Sequence, residues 1–222
     1  MLEPGHLAAL GAVPALAAGL ALLARGRPAV ARRVRIALAA AVGLHELSWY
    51  ALALGLGWVD PPFGLPLHLC DLVLWATVYG LVALDRRVLE VVYYLGLGGT
   101  GMALLTPDLA AALPSWPAVA FFVAHGGVVA GILFLVLSGA LRPGPRSWWR
   151  AFLWVNGYAA AIGAVNAVFG TNYFYLCERP SSPSLLDLLG PWPWYVVAGE
   201  GVALALFGLL YLPFRAGARA RG

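Results

Sequence analysis

The sequence predicts an all-α protein, a polytopic transmembrane helix bundle of seven spans with the N-terminus outside and the C-terminus cytoplasmic. Three observations lead there. First, 62% of the 222 residues are hydrophobic and 11% charged, with a mean hydropathy of +0.83, which is too apolar for an ordinary water-soluble domain. Second, the apolar runs are long and unbroken, without the alternation of barrel strands. Backbone groups in hydrocarbon must be satisfied internally, and helices then satisfy them. Third, the basic residues fall between the runs in a regular pattern.

In chain order the runs are 7–24, 34–56, 66–84, 88–105, 115–138, 149–169 and 194–213. Each is near the roughly 20 residues that cross a bilayer core. The first ends at Arg25, and the second follows Arg32-Arg33 and closes before Asp60-Pro61-Pro62. The third opens on Pro66, which suits a first helical turn, and stops before Arg86-Arg87. Thr106-Pro107-Asp108 ends the fourth, and Arg142-Pro143-Gly144-Pro145 separates the fifth from the sixth. Gly170-Thr171-Asn172-Tyr173 and Pro180-Ser181-Ser182-Pro183 precede the seventh, all turn-forming sequences. Residues 1–222 thus read as one integral membrane domain, with no internal repeat and no room for a soluble one.

All fourteen basic residues are arginines, giving a net charge of +4. Their place beside apolar runs speaks for topology and against a nucleic-acid partner. Arg25, Arg27, Arg32, Arg33 and Arg35 lie around the first connection, Arg86 and Arg87 at the third, Arg142, Arg146 and Arg150 at the fifth, and Arg215, Arg219 and Arg221 after the last run. Only Arg179 falls on the other side. The positive-inside rule makes the crowded side cytoplasmic. The first run has no basic segment before it, so it reads as a retained, reversed anchor and not as a cleaved signal. Trp58, Trp116, Trp192, Trp194 and Tyr195 mark outer ends, and Trp148 and Trp149 an inner one. Gly127 and Gly131 allow close helix approach. Gly96-Leu97-Gly98-Gly99-Thr100-Gly101 matches a dinucleotide-binding pattern but lacks the strand and turn that pattern needs, and it reads as helix packing.

Ionisable residues within spans are costly and therefore functional candidates. They are His45, Glu46, His68, Asp71, His125 and Glu200, to which Asn166 and Asn172 add amides on the outer side. A rise of 1.5 Å per residue puts Cys70 and Asp71 roughly 6–8 Å below the outer end of the third span and His125 near mid-membrane. The polar residues outline a cavity open outward. His68 and Asp71 share a helix face, with Cys70 about 100° away from Asp71. Near a helix N-terminus Cys70 is a candidate nucleophile. Equally it is a small buried hydrophobe, or the partner of Cys177 in a disulfide. His125, followed by two glycines, is a proton-transfer or ligand group, or else a core histidine bonded to another helix. If Cys70 and His125 converge, they supply a nucleophile and its general base. His45, His68, His125 and Glu46 form no HExxH-like ligand pair, so no metal site is expected. Glu200 serves function or interhelix bonding, and Asn156 and Asn166 suit interhelix hydrogen bonds.

The segments LPLHLCDL (65–72), LLTPDL (104–109), FFVAHGG (121–127), NAVFGTNYFYLCERP (166–180) and LLDLLGPWPWY (185–195) resemble the YwaF-like family of bacterial integral membrane proteins. That family is similar to a eukaryotic multipass acyltransferase that moves polyunsaturated acyl chains onto ether phospholipids through a cysteine and a histidine. More remotely the fold is similar to androgen-induced membrane hydrolases of fatty-acid esters, which use a threonine and a histidine. The resemblance implies a bacterial plasma-membrane location, membrane lipids as partners or substrates, no cofactor, Cys70 as nucleophile and His125 as base. The competing class is a small transporter or ligand-binding seven-helix protein using the same polar residues without covalent chemistry.

Overall fold

The protein is described by a computed structural model covering residues 4–109, 114–181 and 184–219, with side chains described up to Arg215. The Arg219 side chain, Arg221 and the Ser182-Pro183 half of one expected loop lie outside the described residues. Seven helices are found there: α1 Pro4–Ala24, α2 Pro28–Gly55, α3 Leu69–Ala83, α4 Arg86–Leu105, α5 Trp116–Leu137, α6 Ser147–Phe169 and α7 Trp194–Arg219. Within α4, Gly96–Thr100 form a π turn. Among the described residues there is no strand. Six helices are long and apolar enough to cross a membrane, which makes this an integral membrane protein. The exception, α3, has 15 residues.

The ends follow from local chemistry. The Asp85 carboxylate caps α4 by accepting from Arg87 N and Val88 N at 2.8 and 3.3 Å. Ser115 does the same for α5 through Ala118 N at 3.4 Å, satisfying amides that a helix start leaves unpaired. His68 and Asp71 form a capping box on α3. Gly170, at φ 65°, ends α6 in the left-handed conformation that glycine tolerates.

Packing centres on α4 and α5. Helix α5 meets α1, α2 and α3, while α4 meets α3 and α6, and α7 lies on α6. Val73, Leu81, Leu89, Tyr94, Val128, Ile132 and Leu135 fill the shared core. The glycines sit at the tight points. A Cβ at Gly127 would stand 2.6 Å from Val42 Cγ2, one at Gly131 3.2 Å from Leu81 Cδ1, and one at Gly96 2.1 Å from Ile132 Cδ1. The Gly96–Gly101 stretch therefore packs helices, as expected.

Most of the arginines expected in connections belong to helices instead. Helix α2 starts at Pro28, so Arg32, Arg33 and Arg35 lie on its first turns, and Arg86, Arg87 and Arg150 on those of α4 and α6. Proline at the first position and the Asp85 cap start these helices early, and long guanidinium stems let the charge leave the apolar layer. Arg35 donates to the carbonyls of Leu81 and Val82 in the last turn of α3, groups that a helix end leaves open and negative. Glu90, buried, accepts from Arg86 Nε at 3.1 Å, from Gly144 N at 3.0 Å and from Arg150. These bonds place the arginine-bearing ends of α2, α4 and α6 and the C-terminal end of α3 on one side of the bundle.

At the opposite end the segment after α6 folds back over the helices. The buried Tyr173 hydroxyl accepts from Leu65 N at 2.8 Å and donates to Pro62 O, and Tyr158 donates to Leu67 O at 2.8 Å. Together they fix the non-helical run that feeds α3. Phe174 and Tyr175, at φ 61° and 52°, hold the left-handed region that non-glycine residues rarely adopt.

Candidate functional site

Between α2, α3, α4 and α5 lies a cavity of about 230 Å³ lined by Cys70, Asp71 and His125 together with His45 and Glu46. Five of the sequence-predicted residues thus meet. Cys70 and Asp71 come from the first turn of α3, His45 and Glu46 from α2 and His125 from α5, so no single stretch of sequence could have shown the convergence.

Each side chain is held. Asp71 accepts from the His68 amide at 2.9 Å, and Tyr50 shares the cavity lining with it. The Cys70 thiol points to the other carboxylate oxygen, 4.0 Å away. The His125 ring stacks on Phe121 at 4.0 Å, and its Nδ1 lies 2.9 Å from the Phe121 carbonyl oxygen. A carbonyl only accepts, so Nδ1 carries the hydrogen, and in a neutral ring Nε2 keeps the lone pair. His45 is oriented the other way, with Nε2 donating to Ala120 O at 3.1 Å and tying α2 to α5. Glu46 is buried on the same wall. Among the described residues no hydrogen bond joins Cys70 directly to His125.

The remaining predicted residues lie elsewhere. His68 caps α3 with its ring against Tyr173 and Tyr175 at 5.2 and 5.6 Å, outside the cavity lining. Asn166, expected to bond between helices, holds its own loop. It donates to Tyr173 O and accepts from Tyr173 N, both at 2.9 Å, and accepts from Thr171 at 2.8 Å. Asn172 folds the next turn, accepting from Cys177 N and Glu178 N. Both amides complete an irregular turn whose backbone groups would otherwise be unpaired. Glu200 accepts from Asn156 at 2.8 Å and lines a separate, mostly apolar groove of about 250 Å³ shared by α4, α6 and α7. The outward cavity foreseen as one is therefore two spaces, because α4 stands between them. The disulfide alternative is overturned: both cysteines are free, Cys70 half-buried and Cys177 exposed. Among the described residues no group of three or more His, Cys, Asp or Glu is gathered to hold a metal ion.

Four lining residues were not singled out from the sequence: Trp49, Tyr50, Thr100 and Asp108. Asp108 reads as part of a turn, while Trp49 and Tyr50 are aromatics of the second apolar run with no charge to mark them. Thr100 was hidden in a glycine-rich stretch. The Asp108 carboxylate accepts from the Tyr175 hydroxyl at 3.1 Å. Burial and that neighbouring carboxylate push the Tyr175 phenol above its ordinary range, which keeps it a donor.

Among known protein families, the TMEM164 family matches residues 1–211. No curated protein and no solved structure matches the chain. With nearly its whole length matched and a bundle of membrane-crossing helices, the chain belongs to the TMEM164 family, a family of multipass membrane proteins.

Proposed function

We propose that this is a seven-span membrane enzyme of acyl transfer or lipid-ester hydrolysis, with Cys70 as nucleophile and His125 as general base. The observation that carries it is the placement of Cys70 and His125, from distant parts of the chain, on one small cavity. In this reading Nε2 of His125 takes the thiol proton, the Cys70 sulfur attacks an acyl ester carbonyl, and the alcohol leaves with that proton. Water or a second alcohol then releases the acyl group. The resemblance to YwaF-like proteins and to the eukaryotic acyltransferase supports this assignment, and with it a bacterial plasma-membrane location and membrane lipids as substrates. Helix α3 serves as the seventh span, the arginine-bearing end faces the cytoplasm, and the N-terminus lies outside.

A second reading is favoured by the three carboxylates Glu46, Asp71 and Asp108 around the same cavity, with no Arg in its lining among the described residues. They suit reversible binding of a cationic ligand by a transporter or ligand-binding bundle. Incubation of the purified protein with an activated fatty-acyl ester, followed by intact-mass analysis, separates the two. Acylation of wild type and of Cys177→Ala, lost in Cys70→Ala and reduced at least about 100-fold in His125→Ala, supports the enzyme. Labelling indifferent to both Cys70 and His125 refutes it.

A further inference from the structure

Thr100 lines the cavity at the end of a π turn and carries a buried hydroxyl without a hydrogen-bond partner. Threonine hydroxyls in helices commonly bond the carbonyl four residues back. Two on α3 and α4 do so: Thr77 donates to Val73 O at 2.7 Å and Thr106 to Met102 O at 3.1 Å. Thr100 does not, and although the residue is only 3% exposed its Oγ1 has no hydrogen-bond partner. Gly96 O, four residues back, instead receives the Gly101 amide across the π turn. The extra residue of the π turn changes the backbone register at this point, and Thr100 lies on the wall of the cavity that holds Cys70 and His125.

An unpaired buried hydroxyl is destabilising, and π turns concentrate at functional sites. The surroundings narrow what the hydroxyl awaits. The His45 N–H is engaged by Ala120 O, and the Thr100 hydroxyl is a neutral donor in the same lining. Resting on the acyl-transfer reading, we infer that Thr100 Oγ1 donates a hydrogen bond to the carbonyl oxygen of the acyl ester attacked by Cys70. As the carbon–sulfur bond forms, the carbonyl π electrons move onto that oxygen and the hydrogen bond strengthens. As the electrons return, the ester carbon–oxygen bond breaks and the alkoxide takes the proton held by His125. A donor that tightens only as charge develops raises the rate more than the affinity.

The test uses full-length protein in lipid nanodiscs with p-nitrophenyl octanoate, following Cys70 acylation by intact mass and stability by thermal melting. Thr100→Val keeps the shape and removes the donor. The maximal acylation rate is expected to fall about 100-fold, with the half-saturating ester concentration changed less than about threefold. Thr100→Ser is expected to recover most of the rate. Because the hydroxyl is unpaired in the resting protein, Thr100→Val is also expected to melt at the same or a higher temperature. A structural role predicts a lower one. Wild-type acylation rates in Thr100→Val, or a loss of both rate and melting temperature that serine does not restore, overturn the assignment of Thr100 alone. Wild-type protein that is never acylated at Cys70 overturns the acyl-transfer reading and this one with it.

Discussion

Gly127→Ala probes the contact on which the cavity's two histidine-bearing helices rest. The new Cβ would stand 2.6 Å from Val42 Cγ2, about 1 Å inside the roughly 3.5–4.0 Å optimum for carbon pairs. Val42 is buried, and a β-branched residue in a helix has little rotamer freedom with which to retreat. The helices must therefore separate. Overpacking of this kind costs about 1–3 kcal/mol. A shift of about 1 Å would also carry the His45 to Ala120 bond, now 3.1 Å, beyond hydrogen-bonding range. Val42→Ala removes the colliding methyl. Alone it forfeits packing worth about 1 kcal/mol. Combined with Gly127→Ala it relieves the clash, so the double variant should be at least about 1 kcal/mol more stable than the sum of the single losses. Denaturation in mixed detergent–lipid micelles measures all four corners of the cycle. Additivity within about 0.5 kcal/mol would show that Gly127 and Val42 do not set the α2–α5 spacing.

Glu90→Ala should destabilise by about 2–4 kcal/mol in the same assay, because it removes the acceptor for two arginines and the Gly144 amide from a buried position. Arg86→Ala should cost less than about 1 kcal/mol, its side chain being 72% exposed and hydrated either way; equal losses for the two would contradict the central role of Glu90. For topology, a fluorescent protein fused to the C-terminus should fluoresce in the cytoplasm, and an alkaline phosphatase there should be inactive. An active phosphatase would reverse the assigned orientation.

The helices were legible because apolar runs and arginines report directly on a lipid environment, and Cys70, Asp71, His45, Glu46 and His125 stood out as costly residues in apolar runs. What could not be read was which of them share a space. His68 and Asp71 occupy neighbouring faces of the same turn, yet one packs on the Tyr173 loop and the other lines the cavity, a difference set by long-range bonds from residues 158 and 173. Asn166 and Asn172 stand out as polar groups near a span, whereas their partners are backbone atoms and the Thr171 hydroxyl a few residues away, a use that local sequence does not advertise. Thr100 was invisible for the opposite reason. Its environment depends on one extra residue in a helical turn, and the glycines that permit that turn read equally well as packing.

The brevity of α3 bears on how a lipid could reach the cavity. Its 15 residues rise about 22 Å, against a hydrocarbon layer about 30 Å thick. In a seven-span arrangement the missing depth is made up by the extended run held by Tyr158 and Tyr173. Non-helical backbone at that level is tolerated only against protein or water, and the Tyr158 and Tyr173 hydroxyls supply protein partners for it. The Cys70 thiol, in the first turn of that helix, therefore sits at the junction of helix and extended chain, and on the proposed acyl-transfer reading an ester has to reach that junction and not the middle of the bundle.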